Sequence, residues 1–372
     1  MDTNTKSISE FVQSGVSSSR FDAECNITEI DFADRSHLRF TGPIIDIHAH
    51  LFLTRASDPP TGPPIGRGPG PEASLIAAET MLDVASSFGI VHTVTMCLPE
   101  EIPIFQEHFG DKVGFNCWIG KKPADPDGSA YKTLDQFLTH GVSLIKLWAA
   151  PRGRDWGMTL DTPWRVECVK RARAGGVRTV MVHVADPDAM FRTLYADVGR
   201  YGTKAAQYVP LRRLLEEFSD MTWIAAHMGG HPEDPEHLEQ LLVEYPHLSF
   251  DTSATKWQVR EVSPRGDQVR ELICRYPKRF LFGVDLVTRH GLPRQHYESR
   301  YWCQRTLWES RWRGVSPISD PDYMATETGE SSPELCGVGL PPDVLAQVYF
   351  DNAARLLHLN SLSTAPRANQ AQ

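Results

Sequence analysis

Five side chains in this sequence are of the types that hold metal ions and move protons, and they are spaced like strand ends. His48 and His50 stand two apart in Asp46-Ile47-His48-Ala49-His50. Residues i and i+2 of a strand point to one face, so both imidazoles can converge on one point. His183, His227 and Asp285 each fall at or near the end of a later apolar run. Polar groups buried at such positions are costly unless they have a partner. Five of them at one rim call for a common partner, and a divalent metal ion is the natural one. Three imidazoles with a carboxylate suit zinc first, and manganese, iron or cobalt as well. Such a set leaves room for a water, whose pKa on the ion falls to about 7, which makes hydroxide available to attack a carbonyl. Taken singly, each residue has an ordinary reading: a chance His-x-His, a core histidine, an aspartate capping a helix. The weight lies in the joint pattern.

The elements that must position these residues are eight short apolar runs: Ile44 to His50, Val91 to Leu98, Val113 to Ile119, Val142 to Ala149, Arg178 to Val184, Thr222 to Met228, Leu248 to Ser253 and Phe280 to Leu286. Continuous apolar runs of this length read as strands buried on both faces. Helical stretches separate most of them. One is Ser74 to Phe88, with Leu75, Ala78, Leu82 and Ala85 on one face. Another is Pro163 to Ala174, introduced by a Thr162 cap and a first-turn proline and ended by Gly175-Gly176. Leu211 to Phe218 and His237 to Tyr245 precede runs six and seven.

Eight alternating strands predict an α/β fold, a (β/α)8 TIM barrel, whose sites lie at the C-terminal ends of the strands. The rival doubly wound sheet would carry a G-x-G-x-x-G turn after its first strand, and none is present. The expected organisation is an N-terminal arm over residues 1–42, the barrel over 43–360 and a disordered tail over 361–372. Insertions follow strand one (the Pro- and Gly-rich Thr54 to Glu72) and strand eight (Arg313 to Leu340). Tyr297 to Trp312, rich in Trp and Arg, reads either as a subunit contact of a homo-oligomer or as a buried helix. A helix over Pro341 to Leu357 closes the chain.

Composition narrows the partners. The 372 residues are 41% hydrophobic and 23% charged, with 38 basic against 47 acidic side chains, a net charge of −9. This is ordinary globular usage, and the acidic balance argues against nucleic acid and against an anionic membrane. No run approaches the roughly 20 apolar residues of a membrane span, and the polar N-terminus lacks a secretory pattern. Seven scattered cysteines without a C-x-x-C pair read as free thiols in a reducing compartment, so a cytoplasmic location is expected.

Taken with their neighbours, these residues resemble the amidohydrolase superfamily, in its amidohydrolase-related (amidohydrolase 2 type) subgroup of metal-dependent barrels. The matching pieces are Ile45 to His50, Val182-His183, Ala226-His227-Met228-Gly229-Gly230, Phe282-Gly283-Val284-Asp285 and Asn352 to Leu357. They run in order from about residue 42 to 358. The resemblance implies that His48, His50, His183 and Asp285 ligate one catalytic metal, with His227 a second-sphere acid/base or additional ligand. It also draws attention to Lys146 on strand four, which in binuclear members is carboxylated and bridges two ions. Here the reading taken is one ion and an unmodified Lys146, which as a buried lysine must pair with an acid or carry a modification.

The leading expectation is a metal-dependent hydrolase of a small organic acid derivative (ester, lactone or amide). Asp285 takes the proton of the attacking water and passes it to the leaving group, and His227 stabilises or protonates the oxyanion. The alternative is a carboxy-lyase, a non-oxidative decarboxylase of an aromatic or semialdehyde acid. That reaction needs a cation for the substrate carboxylate, for which Arg152, Arg154 and Arg289 follow strands four and eight. Trp148, Trp156 and Trp257 could stack on an aromatic ring. Each of these has a bland reading as a solvated loop or core residue, as do His231 and His290 behind strands six and eight. A non-catalytic barrel would be expected to lose metal ligands, and none of the five is missing.

Overall fold

The computed structural model describes residues 30–53, 71–119, 129–288, 292–320 and 332–359. The apolar runs form parallel strands β1 (Ile44–His50), β2 (Ile90–Met96), β3 (Val113–Trp118), β4 (Leu144–Trp148), β5 (Thr179–His183), β6 (Thr222–Ala225), β7 (Leu248–Asp251), β8 (Phe280–Leu281) and β9 (Leu286–Val287). Strands β1 to β8 pair in sequence order.

The eighth run departs from the single strand expected. Its first half, β8, pairs with β7, and its second half, β9, pairs with β1, so one stretch of chain closes the ring. The intervening residues stay attached to β1: the Ile47 N–H donates to the Phe282 carbonyl at 3.1 Å, and the Asp285 N–H to the His48 carbonyl at 2.8 Å. A glycine lets the chain pass close to its neighbours here. A Cβ on Gly283 would stand 3.1 Å from the Cβ atoms of both His48 and Ser253. Asp285 then turns at φ 64°, a conformation side-chain-bearing residues rarely adopt. The result is an α/β fold of the TIM-barrel type.

Side chains alternate between two apolar clusters, as the two-residue period of a strand requires. Ile45, Ile47, Val94, Leu144, Met181, Ile224 and Leu281 fill the barrel, floored by Phe350, Ala353 and Leu357 of the C-terminal helix. Ile145, Leu147, Val180, Val182, Trp223 and Phe250 face outward under the helices. Two residues beyond Leu144 and Met181, the same inward face carries Lys146 and His183. In β1 the register with β2 shifts between Asp46 and Ala49, which lets Ile47 and His48 both turn inward.

Around the sheet run α1 (Pro71–Ser87), α2 (Ile102–Phe109), α3 (Ser129–Thr139), α4 (Pro163–Ala174), α5 (Asp188–Arg192), α6 (Val198–Tyr201), α7 (Lys204–Glu217), α8 (Pro235–Glu244), α9 (Thr255–Val262), α10 (Gly266–Arg275) and α11 (Arg294–Glu309). Thr162 precedes α4 as expected, but its hydroxyl does not cap the helix: it accepts from the Thr159 N–H at 2.9 Å and donates to the Thr159 carbonyl at 2.6 Å. The Trp- and Arg-rich helix α11 is buried within the chain, against residues 30–42. Glu309 accepts the N–H groups of Arg39 and Phe40 at 3.0 Å each, and Arg305 donates to the Phe40 carbonyl at 2.7 Å.

The segment after α11 contributes an antiparallel pair, β10 (Arg313–Val315) with β11 (Glu334–Cys336). The closing helix is α12 (Pro342–Ala346), a π-helical turn over Gln347–Asp351, and α13 (Asn352–Leu356). Asn352 ties it to the barrel floor, donating to the carbonyls of Pro277 and Phe280 at 2.8 Å each. Residues 54–70 of the expected loop after strand one, residues 321–331, the tail over 361–372, Arg289 and His290 lie outside the described residues. Among the described residues, no helix is long and apolar enough to cross a membrane. Cys97, Cys117, Cys168, Cys274, Cys303 and Cys336 are free thiols.

Candidate active site

The register shift in β1 is held by Asp46, which is fully buried beside it. Its Oδ1 accepts the N–H groups of His48 at 3.1 Å and Val284 at 3.2 Å, and its Oδ2 accepts the Tyr301 hydroxyl at 3.1 Å. Burial raises the Asp46 pKa to about 7 against these hydrogen bonds. The strand thus pinned aims two imidazoles at one oxygen: Asp285 Oδ1 lies 2.9 Å from His50 Nε2 and 3.3 Å from His48 Nε2. Ligand atoms of these three residues lie within 4.8 Å of one another. Lys146 Nζ stands 3.2 Å from His48 Nε2.

His183 sits one step away. Its Nε2 lies 2.6 Å from Asp186 Oδ1, and its Nδ1 lies 3.2 Å from His227 Nε2. The His227 ring in turn stacks on that of His48, with centroids 4.9 Å apart. Three of the four expected metal ligands are therefore grouped directly, and His183 joins the same array through His227. Backbone strain gathers here too. His227, Met228, Ala254 and Asp285 all have positive φ, between 51° and 65°, and such residues persist where the surroundings over-determine them. Gly230 makes the β6 loop possible, since a Cβ there would lie 1.9 Å from the Ala185 carbonyl oxygen.

Burial lowers the His50 pKa to about 4 and that of His227 well below the ordinary imidazole value, so both rings are neutral near pH 7. For Asp285 burial acts in the opposite sense, but His48 and the hydrogen bond from His50 outweigh it and hold its carboxyl well below the usual range. Neutral imidazoles and an ionised carboxylate are the protonation states that metal ligation needs. The contacts themselves fit a cation. His183 Nε2 donates to Asp186, which also accepts the Tyr195 hydroxyl at 2.6 Å. That leaves His183 Nδ1 facing a second ring nitrogen, Nε2 of His227, at 3.2 Å. Buried His50 Nδ1 makes no hydrogen bond.

Two polar residues that sequence reasoning passed over lie in the middle of this array. Asp251 and Ser253 at the end of β7 touch both His48 and His227. Ser249, Asp251 and Ser253 alternate with Phe250 and Thr252, and that period-two polar face was the available signal. Of the residues read as possible substrate contacts, Trp257 lies against the imidazoles, its ring edge-on to His183 at 6.0 Å and to His227 at 5.4 Å. Trp148 lies 6.1 Å from the His183 ring and 6.2 Å from Trp156. Arg154 is instead directed at Gln207, 3.5 Å away, and Arg152 acts electrostatically on Tyr201. Among the described residues, neither makes a hydrogen bond or ion pair with the imidazole array. His231 belongs to a separate cluster with Asp188 and Glu233, in which Lys204 supplies the cation at 2.9 and 2.7 Å.

A cavity of about 250 Å³ opens beside Asp285, lined among others by Lys256, Trp257, Val287, His296 and Arg300. Lys256 and Arg300, from α9 and α11, were not expected there. The Trp- and Arg-rich pattern around Arg300 reads as a subunit contact or a buried helix, not as part of the site.

Comparison with known proteins agrees with this architecture. A 2,6-dihydroxybenzoate decarboxylase from Rhizobium shares the fold with a TM-score of 0.51 at 12% identity, over 86% of this chain and 100% of that one. A variant with organophosphate hydrolysis activity engineered from a lactonase template gives 0.51 at 15% identity, over 90% and 99%. A mutant organophosphorus hydrolase from Deinococcus radiodurans gives 0.50 at 14%, over 90% and 96%. At these identities the likeness is one of fold. No curated protein sequence matches the chain. A family model described as amidohydrolase matches residues 45–359, from the start of the His-x-His strand to the end of the closing helix. The chain belongs to the amidohydrolase family.

Proposed function

We propose that this protein is a metal-dependent hydrolase acting on an ester, lactone or amide of a small organic acid. The observation that carries the reading is the convergence of His48 Nε2 and His50 Nε2 on Asp285 Oδ1, within 3.3 Å, at the mouth of the barrel. His48, His50, His183 and Asp285 would hold one divalent ion, zinc first by ligand type, with manganese, iron and cobalt compatible. A bound ion supplies Lewis acidity to the substrate carbonyl and acidifies water. Asp285, whose side chain is 28% exposed toward the cavity, receives the proton of the attacking water and returns it to the leaving group. His227, buried against His183 with a neutral ring, is the candidate acid/base: its Nε2 takes up a proton before it can stabilise or protonate the developing oxyanion. Trp257 walls the substrate, and Lys146 remains an unmodified amine beside His48.

Decarboxylation on the same residues is the second reading, favoured by the two cationic side chains, Lys256 and Arg300, that share a cavity with Asp285. They are better placed than Arg152 or Arg154 to receive a substrate carboxylate. One assay separates the readings. Purified protein is treated with chelator, reloaded with zinc or manganese, and offered a panel of lactones, aryl esters and hydroxybenzoates. The hydrolytic reading expects ester or lactone cleavage that disappears on chelation and returns with metal. Metal-dependent carbon dioxide release without cleavage establishes the second reading instead, and full activity after chelation removes both.

A further inference from the structure

The hydrogen bonds around Asp251 leave little freedom in where the protons sit. This carboxylate is fully buried and has four donors in reach. Oδ1 takes the N–H of His227 at 2.7 Å, the N–H of Ser253 at 3.0 Å and the Ser253 hydroxyl, and Oδ2 faces His48 Nδ1 at 2.8 Å. An ionised carboxylate only accepts, so the facing nitrogen of His48 must carry a hydrogen. The Ser253 hydroxyl has one hydrogen and gives it to Asp251. Its oxygen can therefore only accept from His227 Nδ1, 2.7 Å away, so that nitrogen carries a hydrogen as well. Ser253 Oγ also lies 3.0 Å from His48 Nδ1, which places it between the two rings.

We infer that Asp251 and Ser253 are positioning residues that fix His48 and His227 together in the Nδ1–H tautomer, so that both rings present an Nε2 lone pair to the reaction centre. One contact matches this directly: Lys146 Nζ, a donor, lies 3.2 Å from His48 Nε2, and His227 Nε2 is turned to His183 Nδ1 at 3.2 Å. Although Asp251, His48 and His227 have ligand atoms within 4.8 Å of one another, both Asp251 oxygens are already occupied by donors. Asp251 is thus a brace for the ligand set, in the way that a metal-binding histidine commonly gives its far N–H to a carboxylate. Because the same residues brace His227, the candidate ligand and the candidate acid/base are set by one three-residue stretch of β7 and its loop. What the rings then do rests on the function proposed above, whereas the tautomers can be read without metal or substrate.

The test uses full-length, metal-free protein labelled with ¹⁵N-histidine, comparing wild type, Ser253→Ala, Ser253→Thr and Asp251→Asn at a fixed pH of about 7.5. Imidazole ¹⁵N shifts report the tautomer of each ring. Wild type is expected to show Nδ1–H on both His48 and His227. Ser253→Ala should release His227 into a mixture while His48 holds, and Ser253→Thr, which keeps the hydroxyl, should restore it. Zinc affinity, measured by chelator competition, should fall about 10- to 100-fold in Asp251→Asn and by less than about threefold in Ser253→Ala. An Nε2–H tautomer on either wild-type ring, or an unchanged His227 spectrum in Ser253→Ala, overturns the inference. If Asp251→Asn fails to fold, the serine pair decides the matter. Intact tautomers in a protein that binds no zinc would refute the proposed function and leave the brace standing.

Discussion

Asp285 is asked to do the most of any residue, since it faces two imidazoles on one oxygen and the cavity with its exposed edge. Asp285→Asn keeps the shape and removes the charge, so turnover should fall about 100-fold or more, with weaker metal retention in dialysed protein measured by elemental analysis. His183→Ala should likewise abolish turnover. A His183→Ala enzyme with wild-type kcat would show that His183 serves only its bond to Asp186. The chemistry-bearing residue types were legible because histidines at strand ends are conspicuous against apolar runs. Lys256 and Arg300 were not, because each matters through a distance across the barrel, and for Asp251 and Ser253 the polar alternation of the strand marks a face but not their contacts with His48 and His227. Arg154 shows the converse: it follows strand four closely in sequence, yet its side chain is directed at Gln207.

Among the elements, the β6–α8 loop has the narrowest tolerance. Gly230 has φ of 71°, and a Cβ there would overlap the Ala185 carbonyl. Gly230→Ala should therefore cost about 3 kcal/mol of stability by urea unfolding and also displace His227. One residue further on, His231 has its pKa lowered to about 4, chiefly by burial. The unfolded chain, with an ordinary histidine near 6.5, then binds more protons than the native one between pH 6.5 and 4. Stability contributed by neutral His231 is present above that window and is lost as pH falls through it, by about 2 kcal/mol between pH 7 and 5. Urea midpoints at the two pH values should differ less in His231→Gln than in wild type, and equal losses would contradict this. The strands were legible from their runs, and α4 from Pro163 to Ala174. The division of the eighth run into β8 and β9 was not, because its halves pair with two different strands, β7 and β1, far apart in sequence.

At the scale of the molecule, the closing helix floors the barrel with Phe350 while the chemistry gathers at the opposite end of the strands. Stability and activity should therefore separate. Phe350→Ala is expected to lower stability by about 3 kcal/mol with kcat per folded molecule unchanged, as read by thermal melting beside an active-site titration. The barrel was legible because eight parallel strands separated by helices close in few ways, and the family match over residues 45–359 bears that out. The reaction was less legible, since one barrel supports many chemistries and the choice lies in a few loop and helix side chains. The measurement closest to the central claim is calorimetric titration of zinc into metal-free wild type, His48→Ala and Asp285→Asn. One equivalent bound per wild-type chain, with binding lost or weakened at least tenfold in both variants, is the predicted result. An absence of binding, or binding that is undiminished in either variant, would contradict it.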